Sequence, residues 1–110
     1  MIGSFVEIQN GVIIKDNTRI QSHTFICSKV EIGSNCFIGH GVMFVNDRYP
    51  PSGDPSKWEE IIIGDNVSIG NNATILPVKI GKGSLIGAGS VVTKDIPPNS
   101  KVIGNPGRLI

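Results

Sequence analysis

Asn46 and Asp47 set an amide beside a carboxylate just ahead of Pro50, in a stretch reading VNDRYPP. A carboxylate can hold an amine through its N–H groups and receive its proton, and an amide can orient an amine or a carbonyl. The same dipeptide also starts loops, because Asn and Asp side chains bond to their own backbone. His23 and His40, seventeen residues apart, could supply a base or line a pocket, or be two surface histidines. Two histidines, with no further cluster at metal-ligand spacing, predict no metal site. Lys94 and Arg108 could hold phosphates, Arg by two parallel hydrogen bonds, or be solvated charges.

The elements that position these residues follow from a repeat. Isoleucine recurs every six residues at Ile2, Ile8, Ile14, Ile20, Ile26, Ile32 and Ile38, with Phe44 next in register. After a gap the pattern returns at Ile63, Ile69 and Ile75, loses one residue, and continues at Ile80, Ile86 and Val92. Four residues after each marker stands a small or β-branched residue, such as Val12, Thr18, Thr24, Cys36, Val67, Ala73 or Ser90. Side chains two apart on a strand share a face, so this residue and the next marker both point inward. Eighteen Ile and ten Val against three Leu favour strands over helices.

Glycine often follows the marker, at Gly3, Gly33, Gly39, Gly64, Gly70, Gly81 and Gly87, where a bend of positive φ is expected. Three bends close a triangle, so one coil takes about eighteen residues. The expected fold is all-β: a parallel β-helix of about four to five triangular coils, one domain over residues 1–110. On this spacing Cys27 sits at a bend and Cys36 points inward on another face, so both are expected as free thiols.

Two features interrupt the coil. Phe44 and Ile63 are nineteen residues apart, one coil plus one. Pro50, Pro51 and Pro55 there rule out regular strand pairing. An external loop at about 46–60, leaving the prism and returning near its starting corner, is expected and would be functional or disordered. The last segment, IPPNSKVIGNPGRLI, reads as a strap that stops the coil, while the first coil has no polar cap and is expected to be covered by a partner.

Net charge is +1, which argues against nucleic-acid or membrane-surface binding. From Lys79 onward, however, five bases (Lys79, Lys82, Lys94, Lys101, Arg108) face one acid, Asp95, which suits a phosphate-bearing ligand or a solvated face. The opening MIGSFVEIQN lacks a basic start and an apolar run, and no apolar run is long enough to span a bilayer, so a cytoplasmic address is expected.

These repeats, with the segment IGKGSLIGAGSVVTKDIPPNSKVIGNPGRLI (residues 80–110), resemble the hexapeptide-repeat acyltransferases. The resemblance implies a left-handed coil, a homotrimer with active sites between adjacent prisms, and acetyl-coenzyme A as co-substrate with no permanently bound cofactor. It places Ala88 against the pantetheine arm, Asn71 in the same groove, and Thr93, Lys94 and Arg108 at the adenosine phosphates. Sugar-hydroxyl acetyltransferases of this family carry a His-Pro pair where this chain has Tyr49-Pro50. An alcohol needs a base in the transition state, whereas a neutral amine attacks a thioester without one. IGHGVMFVNDRYP (residues 38–50) is also similar to a subgroup that acetylates nucleotide-linked 3-amino sugars. The resemblance therefore implies an N-acetyltransferase with Asp47 and Asn46 as catalytic residues and a sugar or nucleotide-sugar acceptor beside Tyr49, while His23 and His40, by their spacing in adjacent coils, could line the same pocket. O-acetyl transfer and a non-catalytic structural β-helix are the alternatives. Outward Ile13, Phe25, Phe37, Met43, Leu85 and Val91 are expected to face a neighbouring prism.

Overall fold

A computed structural model describes all 110 residues. The chain winds into a left-handed parallel β-helix with three faces. The first face stacks β1 (Glu7–Ile8), β4 (Phe25–Ile26), β7 (Met43–Phe44), β10 (Thr74–Ile75) and β13 (Val91–Val92). The second stacks β2 (Ile13–Ile14), β5 (Val30–Ile32), β8 (Ile61–Ile63) and β11 (Lys79–Ile80), extended by a bridge from Ile80 to Ile96. The third stacks β3 (Arg19–Ile20), β6 (Phe37–Ile38), β9 (Ser68–Ile69), β12 (Leu85–Ile86) and β14 (Lys101–Ile103), and Ile2 bridges to Ile20 below them. The strap ends as β15 (Arg108–Leu109), which folds back antiparallel on β14 and closes that edge.

The markers stack on one another from coil to coil and fill the interior. Ile20, Ile26, Ile32, Ile38, Ile69, Ile75 and Ile86 are fully buried, within a single core of 21 residues. Burying one such side chain stabilises by about 2 kcal/mol. The chain's two ion pairs, Lys15–Glu31 and Arg48–Glu59, are solvent-accessible and contribute at most about 1 kcal/mol each. Packing therefore dominates. The inward hydroxyls are all satisfied: Thr18 Oγ1 donates to the Gly33 carbonyl at 2.6 Å and Thr24 Oγ1 to the Gly39 carbonyl at 2.8 Å, each in the neighbouring coil.

The glycines after the markers do a different job from the one expected. Positive φ falls two residues later, at Asn17, His23, Asn35, Gly41, Asn66 and Asn72 among others. At the glycine itself the adjacent coil presses in. A Cβ on Gly33 would stand 2.8 Å from both the Asp65 nitrogen and the Gly64 carbonyl carbon. Close backbone approach, rather than left-handed conformation, excludes a side chain there.

The loop leaves the corner between the first and second faces and closes its stem where Glu59 N–H donates to the Asn46 carbonyl at 2.8 Å. It returns to its starting corner, but the count behind that expectation needs correcting. Ile63 pairs with Ile32 on the second face, so the nineteen residues are one ordinary six-residue step with thirteen added (19 − 6 = 13). Cys27 and Cys36 are free and both buried. Burial pushes the Cys27 thiol up to about 11, so it stays protonated at neutral pH.

Candidate active site

The two corners bordering the first face hold most of the residues singled out above. At the corner with the third face, successive coils stack Ser22, His40, Asn71 and Ala88. His40 N–H donates to Asn71 Oδ1 at 2.9 Å, and the Asn71 carbonyl accepts from Gly89 N–H at 2.8 Å. Ser22 Oγ lies 2.9 Å from His40 Nδ1, fixing the ring. His23 takes the positive-φ place in its coil and stacks on Phe5, with ring centroids 5.2 Å apart. Asn71, Ala88 and both histidines are exposed along this edge.

The opposite corner, with the second face, carries the loop stem. Asn46 is 8% exposed, and its Nδ2 donates to the Ser28 carbonyl at 3.0 Å and to Ser28 Oγ at 3.1 Å, one coil below. Asp47 Oδ2 accepts the Ser52 N–H at 2.8 Å, which leaves Oδ1 without a hydrogen bond from the chain. Arg48 donates to the Pro77 carbonyl at 2.8 Å and pairs with Glu59, so it braces the loop. Asp54 caps the short 3-10 turn Pro55–Lys57, and bonds from Ser56 hold its carboxyl below the usual range.

A cavity of about 400 Å³ opens here onto the first face. Phe25, Met43 and Val45 form its apolar part, and Asn46, Asp47 and Trp58 border it. This volume takes a small organic ligand, with the polar pair fixing its orientation. Tyr49 lies outside, 81% exposed, and no histidine lines the cavity. Within one chain, then, Asn46 and Asp47 come together, while His23 and His40 stand across the width of the first face.

The residues expected around coenzyme A divide in the same way. Thr93 and Lys94 occupy the loop's corner two coils further along, after β13. Asn71 and Ala88 line the other edge, and Arg108 lies on β15 at the end of the third face. The outward apolar residues spread over all three faces, most densely on the first, where Phe25 and Met43 lie in neighbouring strands and Val91 stands two strands beyond Met43.

Sequence reasoning did not pick out Ser22, Ser28 or the cavity-lining roles of Phe25 and Met43. The two serines were findable, since each stands eighteen residues, one full coil, before its partner.

A six-residue strand-and-corner unit stacked into a triangular prism defines a hexapeptide-repeat β-helix protein. Known proteins agree. The family model described as the hexapeptide repeat of succinyl-transferase matches residues 60–94. The bifunctional protein GlmU of Clostridium botulinum (strain Kyoto / Type A2) is 40% identical over 103 residues, covering 93% of this chain and 21% of that protein. A maltose O-acetyltransferase from Clostridium difficile 630 superposes with a TM-score of 0.87 at 32% identity, covering 99% of this chain and 64% of that one. The acetyltransferase VCA0836 of Vibrio cholerae, solved with acetyl coenzyme A, superposes with a TM-score of 0.86 at 28% identity, covering 98% and 64%. The chain thus shares its six-residue repeat and its fold with solved hexapeptide-repeat acetyltransferases. The chain spans about a fifth of the curated relative's length and under two thirds of either solved neighbour.

Proposed function

We propose that this chain transfers the acetyl group of acetyl-coenzyme A to the amine of an amino sugar, nucleotide-linked as the sequence resemblance implies. The solved neighbour holding acetyl coenzyme A supports the donor. The observation that carries the acceptor is the polar end of the loop-corner cavity, where Asn46 and Asp47 stand with no imidazole. The amine nitrogen attacks the thioester carbonyl carbon, the C–S bond breaks, and the thiolate of coenzyme A leaves. Asp47 Oδ1 orients the amine and accepts the proton it loses, and Asn46 holds the backbone of the site in place through Ser28. Tyr49 contributes to the mouth of the acceptor site rather than to proton transfer.

The division of Asn71 and Ala88 from Thr93 and Lys94 across the first face fits a homotrimer. Coenzyme A would lie between two prisms and touch one edge of each, with Lys94 and Arg108 meeting its phosphates. The exposed apolar side chains Met43 and Leu85 supply area for such packing. Light scattering should give a mass three times the chain's 11.7 kDa, and a single-chain mass would contradict this arrangement.

O-acetyl transfer is the second reading, favoured by the likeness to the maltose O-acetyltransferase and by the ordered Ser22–His40 pair, which could serve a neighbouring subunit's acceptor as base. Thiol release from acetyl-coenzyme A separates the two. With 3-amino and 3-hydroxy forms of one nucleotide sugar as acceptors, kcat/KM for the amine should be higher by at least about tenfold. Turnover of the hydroxyl form alone would overturn the amine reading.

A further inference from the structure

A second concavity lies on the other side of the loop stem, on the second face. The returning leg Trp58–Glu60 overhangs that face where the outward residues Ile13, Glu31 and Ile62 stand in register on β2, β5 and β8. Lys29 Nζ donates to the Trp58 carbonyl at 3.0 Å and fastens the leg to the corner. The space beneath is about 450 Å³, lined by Ile13, Lys29, Glu31, Trp58, Glu60 and Ile62 among others. Of its lining residues only Trp58 also borders the loop-corner cavity.

We propose that this groove is a saccharide subsite that holds a neutral sugar ring against Trp58 and Ile62. Its charges balance: Lys29 and Glu60 border it, and Glu31 is paired with Lys15 at 3.6 Å. A phosphate or carboxylate ligand meets no net field there. A polyhydroxylated ring meets both kinds of partner, since the Glu60 carboxylate, which makes no ion pair, accepts from hydroxyls and Lys29 has further N–H groups to donate. The C–H face of such a ring suits the aromatic and aliphatic surface of Trp58, Ile13 and Ile62. The subsite rests on the proposed activity only for its ligand class, and holds a neutral saccharide apart from the ring that reacts. It does not depend on acetyl transfer for its test.

Trp58 is the chain's one tryptophan and borders both this groove and the loop-corner cavity, so its fluorescence reports binding at either and the variants separate the two. Titration of the intact protein with N-acetylglucosamine and with maltose, without acetyl-coenzyme A, should give a saturable change in emission at millimolar sugar for at least one of them. Glu60→Ala should weaken that binding at least about fivefold, and Asp47→Asn should leave it unchanged. No change with either sugar, a change with adenosine alone, or a response that Glu60→Ala leaves intact overturns the subsite. Loss of the response in Asp47→Asn also overturns it, because the sugar would then occupy the loop-corner cavity on the first face.

Discussion

Asp47→Asn should lower turnover at least about tenfold while leaving the affinity for acetyl-coenzyme A unchanged. The substitution isolates one property. In the wild type one carboxylate oxygen receives the Ser52 N–H and holds the loop, while the other is free to meet the acceptor. Asparagine keeps an acceptor oxygen for Ser52 and nearly the same volume, so the loop keeps its shape. What it loses is the negative charge that takes the amine's proton as the C–N bond forms. Asp47→Ala removes the loop anchor as well, and its defect would mix shape with chemistry. Steady-state kinetics on both variants, with the donor affinity measured separately, checks the assignment. Full turnover in Asp47→Asn would leave Asp47 as a loop-capping residue only.

Gly33→Ala should destabilise the fold by about 3 kcal/mol, an overpacking effect at the upper end for one added methyl. The new Cβ would meet backbone of the next coil, at Asp65 and Gly64, which cannot swing aside as a flexible side chain could. Because β5 and β8 pair across this point, the coils must separate or the ladder must shift. Gly11→Ala supplies the contrast. Gly11 has φ +79° and open space around its Cβ position, so the cost there is conformational only, about 1 kcal/mol. Denaturant melts of the two variants therefore weigh close approach against backbone conformation. Equal losses would mean that the coil-to-coil contact has been overstated.

The prism was legible because a period of six and its inward partner four residues on are one-dimensional facts. Every marker from Ile20 to Ile86 lies in the core for that reason. What the period could not show was which physical constraint each non-repeating position answers. Gly33 and Asn35 both look like bend residues, yet one is set by a neighbouring backbone and the other by positive φ, and only stacked coils separate the two. The loop was located by its prolines, but its re-entry one face onward depends on Ile63 pairing with Ile32. At the site, Asn46 and Asp47 stood out by type. The bonds that fix them come from Ser28, a coil away, and from Ser52, inside a segment with no period to read. The split of the coenzyme A residues between two edges was likewise hidden, because linear proximity of Ala88 and Thr93 suggests one patch while a strand of the first face, β13, runs between them.

The central claim, binding of acetyl-coenzyme A in a groove bordered by Lys94 and Arg108, is tested most directly by titration calorimetry. Wild-type protein should bind acetyl-coenzyme A saturably, and the Lys94→Ala, Arg108→Ala double variant should bind it at least about tenfold more weakly, since two charge-assisted phosphate contacts are removed. A wild type that binds no acetyl-coenzyme A would contradict the account and leave the prism as a scaffold without the transferase.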